Sequence, residues 1–404
     1  MATVRPFRAH RPPPALAGRV ASPPYDVVST REARAIAAGN ADSFLRVSRP
    51  EIDLPEGIDE HDAAVYARGA ENLRELVGRG VLVQDTEPRL YVYAQRMGTH
   101  LQTGIVACVS VDEYDRDAIK KHEKTRADKE DDRVRHIDTL GAHDEPVVLT
   151  YRSRAEIDAT VAQVTAGAPE YDLTTADGVQ HRLWVVPPAL GARIEELFRA
   201  VPALYVADGH HRSAAASRVH AARRGKPGDH AQFLAVVFPH DQMQILAYNR
   251  LVRDAKGRSA EALLAELGKV MDVEPATDPR PPHARAFGVF AAGRWWLARV
   301  RPGTFDAKDP VASLDCSLCQ DQILSPIFGI EDPRRDKNVD FVGGIRGAAE
   351  LEKRVREEGW SMAIHLYATR IEELLAVSDA GKLMPPKSTW FEPKLRSGLF
   401  IHAF

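Results

Sequence analysis

The run Ala203-Leu204-Tyr205-Val206-Ala207-Asp208-Gly209-His210-His211-Arg212-Ser213-Ala214-Ala215-Ala216 constrains the architecture more than any other part of the chain. Residues 203–207 are mostly apolar and suit a short buried strand. Residues 213–223 are rich in strong helix formers and place Ala215, Val219 and Ala222 on one face. Asp208-Gly209 is the turn between them. The first turn of a helix leaves backbone N–H groups without partners at the positive end of its dipole, so a phosphate or carboxylate can settle there. Gly209 would let a ligand approach the backbone, and Arg212 with the adjacent imidazoles would add charge and donors. The plain alternative is an Asp208 helix cap beside ordinary surface histidines. Two histidines followed by an arginine at such a junction favour the anion site.

The rest of the chain alternates helical and strand patterns. Pro23-Pro24 sets an extended loop; residues 30–38 and 63–77 read as helices. Residues 90–95 and 102–111 form a hairpin around Met97-Gly98-Thr99-His100. A strand over 147–151, a helix over 155–165 and a strand over 181–186 follow. Residues 233–238 and 244–248 read as a further strand pair split by Pro239-His240-Asp241. Beyond a helix over 259–271 and a Pro-rich loop at 278–282, residues 286–290 and 294–300 form a hairpin. This mixture predicts an α+β protein with mixed, largely antiparallel sheets and flanking helices, rather than a doubly wound parallel sheet. By motif, the chain groups into residues 1–150, 151–275 and 276–404.

Residues 117–140 are densely charged and read as a long helix. Lys120 and Lys124, Asp128 and Asp132, and Lys129 and Arg133 are like-charged at i,i+4, an arrangement poor for helix stability alone. That clustering points to His122, Glu123, Lys124, Arg126 and Arg133 lining a ligand site. His122-Glu123 is followed by Arg126 where a zinc protease needs a second histidine. Asp340-Phe341-Val342-Gly343-Gly344 reads as a turn before a helix rather than a phosphate loop, and no Walker-type motif is present.

With 54 Lys+Arg against 57 Asp+Glu and a net charge of −3, the composition carries no nucleic-acid footprint. Three cysteines cannot build a disulfide framework, and Cys316-Ser317-Leu318-Cys319 reads as structural. Neither a signal-peptide h-region nor a membrane-spanning apolar run is visible, so a cytoplasmic protein acting on a small molecule, with its oligomeric state open, is the expectation.

Four segments stand in order across most of the chain: Ala21-Ser22-Pro23-Pro24-Tyr25-Asp26-Val27-Val28, Lys121-His122-Glu123-Lys124-Thr125 followed by Asp132-Arg133, the Asp208 to Arg212 knot, and Met384-Pro385-Pro386-Lys387-Ser388-Thr389-Trp390-Phe391. On these the chain resembles domain-of-unknown-function family 1015. Its Asp-Gly-His-His-Arg knot is similar to the phosphate-handling motif of the ParB/sulfiredoxin superfamily, in the version carried by free L-serine kinases. The resemblance implies a ParB/sulfiredoxin-like strand-loop-helix core and a phosphotransferase with L-serine as acceptor, O-phosphoserine as product and pyrophosphate, ADP or ATP as donor. Asp208, His210 and Asp26 are then the catalytic candidates. Gly209, His211, Arg212, Lys124, Arg126, Lys387 and Ser388 are the phosphate-binding ones, and Tyr25, His122, Glu123 and Arg133 would contact substrate. Mg²⁺ is the expected metal, with Asp208 as its ligand. A phosphoserine-consuming hydrolase at the same site, or a ParB-like nucleotide-sensing regulatory protein, are the rival readings.

Overall fold

Alternating apolar residues on either side of Gly98 produce the hairpin expected from the sequence: Tyr91–Met97 pairs with His100–Ser110 in antiparallel register from Tyr91 opposite Val106 to Met97 opposite His100. Gly98 supplies the positive φ of the turn, +59°. The computed structural model to which this hairpin belongs describes residues 2–404. Contacts divide the chain into two units, one running to Met243 and joined by Pro393–Phe404, the other Gln244–Glu392. The cuts thus fall at 243 and 392, where the motif grouping placed them at 150 and 275.

Among the described residues, the first unit holds a nine-stranded sheet. Its spatial order is Ile119–Lys120, Leu204–Asp208, Val147–Tyr151, Gln232–Pro239, His100–Ser110, Tyr91–Met97, Gln180–Val185 and Tyr171–Thr174, with Val4–Arg5 pairing onto His100–Ser110. Two of these pairings are parallel, Ile119–Lys120 with Leu204–Asp208 and Val147–Tyr151 with Gln232–Pro239; the rest are antiparallel. Val92, Ile105, Leu149, Val206 and Val237 of the sheet pack with Ile157 and Val164 of helix Ala155–Thr165 and with Ile194 and Phe198 of helix Pro188–Phe198. A smaller cluster of Ile137, Ala215 and Val219 joins the charged helix Ala127–Leu140 to the junction helix His210–Ala222. The tail returns to this unit through bridges of Ser397 to Ser22, Ile401 to His10 and His402 to His143.

The second unit is built on a six-stranded, wholly antiparallel sheet ordered Met271–Pro275, Arg294–Val300, Ala286–Ala291, Met362–Leu366, Tyr248–Val252 and Val339–Gly343. Leu351 of helix Gly347–Glu357 packs on it with Leu251, Phe290, Trp295, Val342 and Ala363. The two units together bear out the α+β, largely antiparallel reading.

Two local expectations changed. Residues 244–248 do not pair with 233–238, because both edges of Gln232–Pro239 are already taken by His100–Ser110 and Val147–Tyr151. Gln244–Leu246 instead pairs with Trp390–Glu392, and Tyr248–Val252 enters the second unit's sheet. Residues 117–140 are not one helix: Ile119–Lys120 is a strand, 121–126 are irregular, and the helix starts at Ala127. Lys120 and Lys124 therefore share no helical face. Within that helix the like charges have their own partners: Asp128 pairs with Arg126 at 2.7 Å, Asp132 with the adjacent Arg133 at 2.6 Å, and Lys129 lies 3.9 Å from Glu60.

Two expectations held. A Cβ at Gly343 would lie 2.8 Å from the Trp390 ring and one at Gly344 would lie 2.7 Å from the Ala247 carbonyl oxygen, so this glycine pair serves close packing where a strand ends. Cys316 and Cys319 are buried free thiols on helix Asp315–Cys319. Among the described residues no helix is long and apolar enough to cross a membrane.

Candidate functional site

Strand Leu204–Asp208 ends at Gly209, which adopts φ +94° and admits the sharp entry into helix His210–Ala222. A Cβ there would come within 3.1 Å of the Arg212 Nε. The glycine is thus needed both for its backbone conformation and for the guanidinium folded back over it. Arg212 is 7% exposed, its Nη1 donates to the Pro146 carbonyl, and its Nη2 lies 3.9 Å from Asp208 Oδ2. The Gly209 N–H donates to Asp208 Oδ1 at 3.1 Å. Lys394, carried in by the returning tail, places its Nζ 3.4 Å from Asp208 Oδ2. Burial alone would raise the Asp208 carboxyl, but the charges of Lys394 and Arg212 outweigh it and hold the group well below the usual carboxylate range. A carboxylate already balanced by two cations suits an electrostatic anchor. It does not suit a Mg²⁺ ligand, nor a base.

Arg212 faces further carboxylates. Asp26 and Glu145 exert the strongest attraction on it, ahead of Asp208. Asp26 is exposed on the short turn Tyr25–Val27 that follows Pro23-Pro24. Glu145 is buried, and its Oε1 accepts from the Tyr25 N–H at 3.1 Å and from the Ser397 hydroxyl at 2.7 Å, while Oε2 has no hydrogen-bond partner. Burial pushes the Glu145 carboxyl up to about 7; Arg212 opposes this, whereas Asp144 and Asp26 add to it. The Arg133 guanidinium lies 3.8 Å from the centre of the Tyr25 ring and pairs with Asp132 at 2.6 Å. Behind it, His136 Nε2 lies 3.0 Å from Asp144 Oδ2.

The parallel pairing of Ile119–Lys120 with Leu204–Tyr205 sends both chains out of the same end of the sheet. That topology is why His122 and Glu123 meet His210. The two imidazole rings stand edge to face, 4.4 Å apart at 88°, and Glu123 Oε2 lies 3.9 Å from His210 Nδ1. Burial lowers both histidines, His122 to about 4, so both rings are neutral at pH 7. The Val206 carbonyl, and after it the Asp208 charge, pull the other way at His122, though the carbonyl makes no hydrogen bond of normal geometry.

The structure thus brings together Tyr25, Asp26, Arg133, Asp208, Gly209 and Arg212 on one side of the junction, and His122, Glu123 and His210 on the other. His211 Nε2 accepts from the Arg126 N–H at 3.1 Å, which ties the loop to the helix start. The Arg126 side chain turns to Asp128 at 2.7 Å, and Lys124 is exposed on the same loop. Lys387 and Ser388 belong to the second unit: Lys387 Nζ lies 5.6 Å from the Tyr248 ring centre, and the Ser388 hydroxyl donates to the Pro385 carbonyl at 2.6 Å. Sequence reasoning missed Glu145 and Lys394. Asp144-Glu145 stands directly before the fully buried strand Val147–Tyr151, and an acid pair abutting such a strand was the available signal. Lys394 offered none, since it reaches Asp208 across 186 residues of chain.

Comparison with solved structures finds a conserved hypothetical protein from Pyrococcus furiosus, 12% identical, covering 74% of this chain and 95% of that one, at a TM-score of 0.38. A free serine kinase in complex with AMP is 11% identical, with 73% and 91% covered and a TM-score of 0.38. SbnI from Staphylococcus aureus with a C-terminal truncation is 13% identical, with 74% and 87% covered and a TM-score of 0.37. No curated protein gives a significant match. The model of the family described as "Protein of unknown function (DUF1015)" matches residues 4–317, and the chain belongs to that family.

Proposed function

We propose that the junction binds the phosphoryl group of a small donor and transfers it to the hydroxyl of a small metabolite, with free L-serine as the acceptor. The observation that carries this reading is the pairing of two cations, Arg212 and Lys394, around Asp208 at a helix start entered through Gly209. Such a start offers backbone N–H groups and the positive end of the helix dipole to an anion, and a guanidinium adds directional donors. The choice of serine, and of pyrophosphate, ADP or ATP as donor, rests on the likeness of the knot to the free serine kinase motif.

In this reading Arg212 and the first-turn N–H groups hold the transferred phosphoryl group, and Lys394 offsets the negative charge that builds on it. Asp208 is the anchor that positions both cations. Asp26, which is exposed and therefore within reach of an acceptor, takes the hydroxyl proton as the serine oxygen bonds to phosphorus and the donor's bridging P–O bond breaks. Tyr25 and Arg133 form the wall beside it. Mg²⁺ would arrive with the donor's phosphates, since Asp208 is not suited to hold it.

Phosphorus NMR of the protein with L-serine and, in separate tubes, pyrophosphate, ADP or ATP tests the proposal. A serine-dependent phosphomonoester signal, lost in Lys394→Ala and at least about 100-fold weaker in Asp26→Asn, is the expected result. Donor consumption without serine would replace the kinase by a hydrolase or nucleotide switch. Unchanged turnover in Asp26→Asn would remove the assigned base.

A further inference from the structure

We infer that His122, Glu123 and His210 form a binding site for one divalent first-row transition ion of borderline softness, such as zinc or iron. Each side chain offers one donor atom, and these atoms all lie within 4.8 Å of one another. His122 and His210 are 1% and 5% exposed, and His122 Nδ1, His122 Nε2 and His210 Nε2 are buried without a hydrogen-bond partner. Buried imidazole nitrogens are normally satisfied, because an unpaired one forfeits its solvation and gains nothing in return. An unpaired nitrogen on each of two touching rings, with a carboxylate beside them, is explained by a cation that all three side chains ligate, each ring through a single nitrogen, which leaves the Val206 carbonyl for the other nitrogen of His122.

The donor set selects the ion. Two imidazoles and one carboxylate suit zinc, iron or manganese, whereas magnesium prefers an all-oxygen shell. Three protein ligands also leave coordination positions for water or substrate, as in metal sites that act on a bound molecule. The ligands come from a short irregular loop and a helix start, but both follow strands joined in parallel register, and the Arg126 to His211 hydrogen bond ties the loop to the helix. A small inward movement would close the triad. Its ligands are other than those of the Asp208 cluster, which lies within electrostatic reach of both histidines, and the site stands whether or not phosphoryl transfer does.

The full-length protein, stripped with a chelator and titrated with Co²⁺, reads the site directly through visible absorption and through metal content by mass spectrometry. One Co²⁺ per chain is expected, displaced by Zn²⁺ and not by a tenfold excess of Mg²⁺. His210→Asn and Glu123→Gln should each weaken Co²⁺ binding by more than about 10-fold, the lower end of what losing even an indirect partner of a metal costs. Glu123 is half-exposed, so Glu123→Gln leaves the fold intact and keeps the test readable if His210→Asn fails to fold. Co²⁺ binding that survives Glu123→Gln unchanged, or a wild-type protein that takes up no Co²⁺, overturns the assignment. Neither result bears on the phosphorus NMR experiment, so the two readings fail separately.

Discussion

In the first unit His122, Asp132, Arg133, His136, Asp144, Glu145, His210 and Arg212 are all less than 9% exposed. The second unit keeps most of its ion pairs at the surface, as in Arg280 with Asp278, Arg299 with Glu274 and Arg301 with Asp272. Its interior holds fewer charges. Asp254 is matched by Arg258 at 2.7 Å, Arg250 donates to the Tyr248 carbonyl and lies 4.7 Å from the Phe341 ring centre, and Asp315 accepts from the Arg285 N–H. Both units bury ample apolar surface, so the first has no need of charge to fold. Removing ions from water costs several kcal/mol each in real proteins and is repaid only by close partners. A region that accepts this cost repeatedly around one strand end is where the proposed function places its charged ligand.

The largest test of that contrast is Arg212→Ala. Three carboxylates, the buried Glu145, the half-buried Asp208 and the exposed Asp26, would lose their shared cation, and breaking a buried pair in this way costs ~3–5 kcal/mol. Urea unfolding followed by hydrogen exchange should place the loss in residues 2–243. A cost below about 1 kcal/mol would mean the cluster is solvated in practice, and the contrast between the units would collapse.

The next test uses the one feature the two units share. Burial lifts Glu145 from its ordinary 4.5 to about 7, and burial lifts Asp315 from 3.8 to about 7. Between those limits the folded chain keeps a proton that the unfolded chain has released, so each group subtracts stability as pH rises through the window, with the loss complete above about 7. Glu145→Gln and Asp315→Asn should each flatten the decline of the melting temperature between about pH 4.5 and 7, an effect on the order of 3 kcal/mol. His181, buried and lowered to about 3, works with the opposite sign: its contribution is complete above 6.5 and is lost as the pH falls toward 3. The acid limb of the profile should therefore persist in both variants. If Glu145→Gln leaves the profile unchanged while Asp315→Asn flattens it, Arg212 keeps Glu145 ionised and the first unit is better compensated than argued.

These distinctions also mark how far the sequence could be read. The hairpin around Gly98, the strand over 147–151 and the strand-glycine-helix junction follow from local pattern, because side-chain alternation and a positive φ are local requirements. His122 meeting His210 depends on a parallel pairing of strands some 85 residues apart in sequence, and no local pattern encodes that. Lys394 was invisible for the same reason, whereas Glu145 stood in a local signal, the acid pair before the strand at 147. The charged stretch before Ala127 was misread as helix because its few apolar residues fit either period, and the pairing of Ile119 with Leu204 decided the matter.

Gly209→Ala is the third test. The residue sits at φ +94°, and the added Cβ would press on the Arg212 guanidinium, so a loss of ~1–2 kcal/mol is expected together with weakened phosphate binding. Isothermal titration with inorganic phosphate, beside a thermal melt, separates the two effects. Retained phosphate affinity in a destabilised variant would make the glycine a folding device only.

The smallest expected effect completes the contrast. Arg299 pairs with Glu274 at 2.6 Å across neighbouring strands of the second unit, but both side chains are open to water. Exposed pairs gain little, because solvent screens the attraction and holding two long side chains together costs entropy. Arg299→Ala should leave the melting temperature unchanged, and added salt should change neither protein. A clear loss of stability would show that the second unit depends on its charges too, at its surface rather than its centre. Burial of charge would then no longer distinguish the two regions, and the candidate site would rest on the geometry around Gly209 alone.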